Sequence, residues 1–321
     1  MRIGLCIRGF AGILKILREN LPNDEIFECD QSELVALAPS ADVLIPTICS
    51  IPASIFKNER LKLVQQYGVG LDSVDITAAT IANVPVCNVP SVGTGNAESV
   101  AELTIAHMLM LARDIPGAVR QFNLKKVGAP LGHCLWKSTV CIVGYGGVGE
   151  EIARRLQGFG VRIIAVSKSG PAGRPRDPSI SIDSHVDQSL LVDAVRKADF
   201  VIVGAPATAE NIGLMGASVI SKMKSTAYVI NVARGPVIDY EALKNALRED
   251  KIAGAGLDVF WNEPFDPDDP IFKHNVIATP HIGGSTKDSL LGIGAAVACN
   301  IDRIRSGEMP QNCVNLYASR D

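Results

Sequence analysis

Gly144, Gly146 and Gly149 fall in G-x-G-x-x-G spacing within T-V-C-I-V-G-Y-G-G-V-G-E-E-I-A-R-R-L, which begins at Thr139. That spacing suits a phosphate. Gly144 allows a tight turn, Gly146 lets the backbone approach a pyrophosphate, and Gly149 lets a helix pack close to a strand. The free N–H groups at the helix start, with the helix dipole behind them, then face the anion. Three later stretches carry side chains of the kinds used in catalysis. N-V-A-R-G-P-V-I-D (Asn231 to Asp239) holds Arg234, G-L-D-V-F-W-N-E-P (Gly256 to Pro264) holds Glu263, and A-T-P-H-I-G-G-S-T (Ala278 to Thr286) holds His281. Each directly follows a predicted strand. Strand ends of an open α/β sheet converge on its ligand crevice, so a guanidinium, a carboxylate and an imidazole far apart in sequence can meet there.

The elements that must position these groups read as alternating strands and helices. Val140 to Val143 and Arg162 to Val166 flank the glycine loop and its helix as one βαβ unit. Phe200 to Ala205, Ala227 to Val232, Gly254 to Val259 and Val276 to Ala278 are further buried strands, separated by helices at Ser189 to Ala198, Ala217 to Met223 and Tyr240 to Glu249. The result is a doubly wound parallel sheet. Upstream, Arg2 to Ile7, Phe27 to Cys29, Val43 to Ile45, Leu61 to Gln65 and Pro85 to Asn88 are strand candidates of a smaller parallel α/β domain, with a helix at Ala11 to Glu19. Ser99 to Arg113 is a long apolar helix in which His107 reads as a packed histidine. Asp114 to Lys137, rich in Pro and Gly, reads as an irregular arm. Ser285 to Ser306 is a last long helix.

A chain of 321 residues is long enough for two domains, and 47% hydrophobic with 20% charged residues is globular composition. A net charge of −3 gives no sign of a nucleic-acid or acidic-membrane footprint. The 8 cysteines are scattered, with no C-x-x-C and no Cys/His cluster, so no metal site is expected. Reduced cysteines inside apolar runs fit a cytoplasmic chain. The N-terminus lacks a signal-peptide layout, and no apolar run reaches the ~18 residues of a membrane helix.

Taken in order, G-V-G-L-D-S-V-D from Gly68, A-E-S-V-A-E from Ala97, G-Y-G-G-V-G, N-V-A-R-G-P-V-I-D, G-L-D-V-F and T-P-H-I-G-G resemble the D-isomer-specific 2-hydroxyacid dehydrogenases over nearly the whole length. The resemblance implies a doubly wound Rossmann domain plus a smaller flavodoxin-like α/β substrate domain. Residues 1–98 and 287–321 would form the substrate domain, and 99–286 the dinucleotide domain with a dimerisation arm near 114–137. It implies Arg234, Glu263 and His281 as the catalytic triad of a hydride transfer between a nicotinamide and a 2-oxo acid. His281 donates a proton to the carbonyl oxygen; an imidazole pKa of ~6.5 suits that task. Glu263 favours the imidazolium and fixes the ring. Arg234 holds the substrate carboxylate with its planar fork. The substrate is then expected in an interdomain cleft, with a homodimer as the assembly.

The same resemblance implies cofactor contacts from the loop residues Gly144, Gly146, Gly147, Val148 and Gly149, and from Thr94, Ala205, Pro206, Asn211, Val232, Ala233 and Gly283. Asp258 resembles the aspartate that accepts from the nicotinamide amide. The N–H groups of Val69 and Gly70 suit a substrate carboxylate; an ordinary strand-to-helix loop capped by Asp72 or Ser73 is the equal alternative from spacing. A side-chain pocket is expected from Ile45 to Ile51 and Tyr67.

The chain departs from the common pattern after the second Rossmann strand. An acid that binds the adenosine ribose is expected there, but the stretch reads A-V-S-K-S-G. Ser167, Lys168 and Ser169 would welcome a 2′-phosphate that an acid repels, so NADP(H) is the expected cofactor, with NAD(H) possible if this is only a solvated loop. Glu150 and Glu151 suit the helix N-terminus and are expected to point away from the ligand. The expected activity is NADPH-dependent reduction of a small 2-oxo acid, of glyoxylate or hydroxypyruvate type, to a D-2-hydroxy acid. Oxidation of D-3-phosphoglycerate is the alternative among enzymes, and a nucleotide-sensing corepressor is the alternative from another class.

Overall fold

The computed structural model describes residues 1–10, 12–173 and 177–316. The chain divides into two compact units, Met1–Asn96 together with the chain from Ser285 onward, and Ala97–Gly284.

The first unit is a five-stranded parallel sheet. Its strands are β1 (Arg2–Leu5), β2 (Glu25–Glu28), β3 (Val43–Ile45), β4 (Leu63–Gln65) and β5 (Val86–Cys87), in the order β2-β1-β3-β4-β5. Alternate residues feed opposite faces, as a pleated strand requires. Val43, Ile45 and Leu63 pack with the helix Ile13–Asn20 and with Leu290, Ile293, Val297 and Ile301 of the last helix, Lys287–Arg305. Leu44, Val64 and Val86 pack on the other face with Leu34, Phe56 and Ala79. The last helix seats close because Gly294 has no side chain: a Cβ there would lie 2.4 Å from Ile16 Cγ2. Asn300 Nδ2 donates to Gln65 Oε1 at 2.8 Å, tying that helix to β4.

The second unit is a seven-stranded parallel sheet: β6 (Thr139–Val143), β7 (Arg162–Ser167), β8 (Ser184–Asp187), β9 (Phe200–Val203), β10 (Tyr228–Asn231), β11 (Gly254–Leu257) and β12 (Val276–Ala278), in the order β12-β11-β10-β9-β6-β7-β8. It is doubly wound. Val140, Ile142, Phe200, Ile202 and Ile230 face the helices Asn96–Ala112 and Gly147–Leu156. Cys141, Val143, Val201, Val203 and Val229 face Leu191–Lys197 and Tyr240–Arg248. Covering both faces is what makes the central strands continuous apolar runs.

Two elements differ from the sequence reading. The strand β8 (S-H-V-D) has no apolar run, because it lies at the sheet edge with only β7 as neighbour and is partly exposed throughout. Within the segment read as irregular, Ile115–Asn123 is an α-helix. Asp114 caps it by accepting from Gly117 N–H at 2.9 Å, and Pro116 sits in the first turn, where no N–H is needed. What looked like a breaker is a start signal. Among the described residues no helix is long and apolar enough to cross a membrane.

Candidate active site

The register of the second sheet brings the candidate residues together. Ala278, Leu257, Asn231, Val203, Val143 and Val166 are successive Cα partners across β12, β11, β10, β9, β6 and β7. The residues after this row leave the sheet as the Thr279–Gly283 turn, Asp258, Val232 to Arg234, Gly204 to Pro206 and the Gly144 loop, while β7 runs one residue further to Ser167, which pairs with Asp187. Residues distant in sequence therefore share one edge because their strands end level.

At the centre, Gly144 has φ 97°, and a Cβ on it would lie 2.3 Å from Ala205 N, so only glycine fits between β6 and the loop after β9. Around Gly146 a Cβ would meet nothing within 4 Å, which leaves open space in front of the helix. The helix Gly147–Leu156 begins there with Gly146 as its N-cap and no side-chain cap bond. An open glycine cradle with a helix N-terminus behind it fits a dinucleotide pyrophosphate. Glu151 turns back along its own helix, bonding Arg154 at 3.2 Å and Arg155 at 2.5 Å.

Beside it, Ser167 ends β7, its Oγ 2.9 Å from His185 Nε2 on β8 and donating to Gly170 O at 3.3 Å. His185 packs edge-on against Tyr145 of the glycine loop, ring centroids 5.4 Å apart. Lys168 Nζ donates to Glu210 Oε2 at 2.6 Å, both side chains exposed. A carboxylate absent from the second strand thus arrives from the loop after β9. Asn211 in that loop holds it together, donating to Pro206 O at 2.9 Å.

The three chemical groups sit on neighbouring strand ends. His281 Nδ1 lies 2.7 Å from Glu263 Oε2, and Glu263 Oε1 accepts from Phe260 N–H at 3.1 Å. Burial acts to raise the Glu263 pKa, but the bond to His281, that ring's charge, the Phe260 N–H and the charge of Arg234 together hold it below the usual glutamate value. Arg234 comes just after β10; its Nη1 donates to Ala233 O at 2.7 Å. Asn231, fully buried, braces the turn from inside: its Nδ2 donates to Arg234 O at 2.9 Å and its Oδ1 accepts from Ala233 N–H at 3.1 Å. Gly235 lets this turn close on the next one, since a Cβ would lie 2.1 Å from Phe260 O. The backbone carrying Arg234 is thereby packed directly on the backbone that orients Glu263.

A profile of the D-isomer specific 2-hydroxyacid dehydrogenase NAD binding domain matches residues 105–283, a span that holds the glycine loop and all three groups. The chain belongs to this family. It is an NAD(P)-linked oxidoreductase of the 2-hydroxyacid dehydrogenase type. A glyoxylate reductase of Thermococcus onnurineus is 35% identical, with 94% of this chain and 92% of that one aligned. A D-3-phosphoglycerate dehydrogenase of Archaeoglobus fulgidus is 34% identical over 89% of this chain but only 54% of its own length. The solved structure of an NADPH-dependent glyoxylate/hydroxypyruvate reductase from Sinorhizobium meliloti, in complex with NADP and malonate, superposes with a TM-score of 0.82 at 28% identity, covering 100% of this chain and 99% of that one.

The structure also places the other positions read from this dehydrogenase's sequence. Asp258 spends its carboxylate on the chain: Oδ1 accepts from the Thr279 hydroxyl at 2.7 Å and from Ile282 N–H at 2.9 Å, and Oδ2 accepts from Gly283 N–H at 2.8 Å. Of the roughly four lone-pair sites of a carboxylate, this leaves room for one more donor. Thr94 belongs to the first unit, where its hydroxyl donates to Ser91 O at 3.2 Å and Pro90 O at 3.4 Å. Val69 and Gly70, also in the first unit, have their carbonyls held by Asn88 Nδ2 at 2.9 Å and Gln66 Nε2 at 2.6 Å. The helix after them is capped by Asp75, not by Asp72 or Ser73. Of the stretch expected to form the side-chain pocket, Ile45 and Ile51 are fully buried in the core while Ile48 is 72% exposed, and the Tyr67 hydroxyl donates to Leu290 O at 2.6 Å. Asn231, His185 and Glu210 carry no role that sequence reasoning assigns. Asn231 stands in a quoted motif; the other two reach the site only through tertiary structure.

Among the described residues, no group of three or more His, Cys, Asp or Glu side chains is arranged to hold a metal ion.

Proposed function

We propose that this dehydrogenase reduces a small 2-oxo acid, of glyoxylate or hydroxypyruvate type, to the D-2-hydroxy acid with NADPH. The observation that carries the reading is the 2.7 Å pair of His281 Nδ1 and Glu263 Oε2 at the strand-end row that also holds Arg234. When bound, the reduced nicotinamide supplies the hydride for the carbonyl carbon. Arg234 grips the substrate carboxylate and draws charge toward the carbonyl oxygen. His281, held through Nδ1 by Glu263, delivers the proton from Nε2 to that oxygen as negative charge grows there. The His281 side chain is 41% exposed, so water can restore its proton. The N–H groups of Val69 and Gly70 and the cofactor contacts inferred from sequence are part of this proposal. The similarity to a Thermococcus glyoxylate reductase supports the substrate class.

The preference for NADPH rests on Ser167, Lys168 and Ser169 standing where an acid would bind the ribose, with His185 beside Ser167. A charged hydrogen bond is worth about 1.5–3 kcal/mol, so kcat/KM with NADPH is expected to exceed that with NADH by about tenfold or more. Equal efficiency, or a preference for NADH, would mean that Glu210 keeps Lys168 from the phosphate. The same assay, run over a set of 2-oxo acids and with 3-phosphoglycerate plus oxidised cofactor, separates this reading from the second one. That second reading, phosphoglycerate oxidation, is favoured by the Archaeoglobus relative.

The assembly proposed is a homodimer through the 114–137 segment. Phe122 is 80% and Leu131 96% exposed, and Val127 and Trp136 also stand out in solvent. Exposed apolar groups this dense on one segment suit an interface. Sedimentation equilibrium is expected to give twice the chain mass, and a lower mass on replacing Phe122 and Leu131 by serine; a monomer at all concentrations would refute it. The free cysteines, most of them buried, fit a reducing, cytoplasmic setting.

A further inference from the structure

Behind the catalytic turn lies a buried histidine that the reduction chemistry does not use. His107 sits in the middle of the helix Asn96–Ala112 with no exposed surface. Its Nε2 is 3.1 Å from Thr279 Oγ1, and the Thr279 hydroxyl in turn bonds Asp258 Oδ1 at 2.7 Å. A carboxylate only accepts, and a hydroxyl has one proton to give. With that proton committed to Asp258, Thr279 accepts from His107, so Nε2 carries the hydrogen. Nδ1 is left as a lone pair, and among the described residues it has no partner. Burial disfavours a second proton on the ring, outweighing the opposing pull of Asp258, which keeps His107 in this neutral form. The ring fits because β11 offers Gly256, where a Cβ would come within 3.0 Å of Nδ1.

The far end of the chain of bonds is the turn that carries His281. Asp258, only 2% exposed, accepts from the N–H groups of Ile282 and Gly283, the two residues after His281. His281 itself has φ 54°, a left-handed conformation that a side-chain-bearing residue keeps only when its surroundings enforce it. A second backbone bond, His281 N–H to Thr279 O at 2.9 Å, closes the turn.

We propose that His107 and Thr279 are positioning residues: the ordered donor chain His107 to Thr279 to Asp258 holds the Thr279–Gly283 turn in the shape that presents the His281 ring to Glu263. This rests on the reading of His281 as proton donor given above. Orientation is what a buried, fully directed network supplies and a looser one loses.

The test compares His107→Phe, which keeps a ring but removes the donor, with His107→Gln, which keeps an N–H at similar reach. Thr279→Val and Thr279→Ser make the same comparison if His107→Phe does not fold. In the Phe and Val variants kcat falls about tenfold. Gln and Ser recover most of the rate. Nitrogen-15 spectra of the His281 ring report the same loss without turnover: the signal of the Glu263-bonded Nδ1 changes in the Phe and Val variants and returns in the Gln and Ser variants. Folded Phe and Val variants with wild-type kcat and wild-type ring signals overturn the proposal. So does a Gln variant as impaired as the Phe variant, which would assign the effect to ring packing. A wild-type protein inert toward every 2-oxo acid would remove the proposed reaction, while the ring spectra would still decide the positioning.

Discussion

Replacing His281 by alanine is expected to lower kcat by about 10²–10⁴-fold, the range for loss of a general acid, while binding of NADPH, followed by fluorescence titration, is unchanged. The pH profile carries the same information with a sign. The productive form for reduction has His281 protonated and Glu263 ionised. Glu263 is held below the usual glutamate value, first against burial, by His281, Phe260 N–H and Arg234. The acidic limb of kcat/KM is therefore expected below the ordinary glutamate value of about 4.3. Glu263→Gln removes the titrating carboxylate, so the acidic limb disappears. An unchanged profile in Glu263→Gln would separate the pair seen at 2.7 Å from catalysis.

The second large effect is expected at Arg234. Its fork is the one positively charged group among the three that cannot lose its proton, and truncating one partner of a hydrogen-bonded charge pair costs about 2–5 kcal/mol. Arg234→Ala is accordingly expected to lower kcat/KM for the 2-oxo acid by about 10²-fold or more, with most of the loss in substrate KM and little change in cofactor affinity. Arg234→Lys restores only part, because an ammonium cannot bind a carboxylate through two parallel bonds. Steady-state kinetics with the acid varied at saturating NADPH measures this. A change of less than about threefold in Arg234→Ala would mean that the carboxylate is held elsewhere. The turn is built to keep Arg234 in place: Asn231 bonds both sides of it and Gly235 locks it against Phe260.

Much of this was legible in the sequence, for a physical reason. The central strands β6, β9, β10 and β11 are covered on both faces, so they appear as apolar runs, and the residues just after each run must lie along one edge. That alone brings Arg234, Glu263 and His281 toward one another. The elements that no local pattern marks lack such a signature. The edge strand β8 is polar because solvent reaches it, so His185 came with no warning. The helix Ile115–Asn123 hides behind Pro116 and Gly117, which are read as breakers unless Asp114 is seen as the cap. Glu210 meets Lys168 across 42 residues of chain, and His107 meets Thr279 across 172; no local spacing encodes either contact. Asp258 shows the limit most clearly. Resemblance assigns it to the cofactor, whereas the structure shows it first as the anchor of the turn bearing His281.

The most direct test is NADPH oxidation by the purified protein with glyoxylate and with hydroxypyruvate, measured side by side for the wild type and His281→Ala. Steady oxidation is expected with at least one of the two acids, with a D-configured product from hydroxypyruvate where it turns over, and a loss of at least about 10²-fold in the variant. Wild-type protein that binds NADPH but oxidises it with neither acid, or a His281→Ala variant that keeps the wild-type rate, would contradict the proposed reaction.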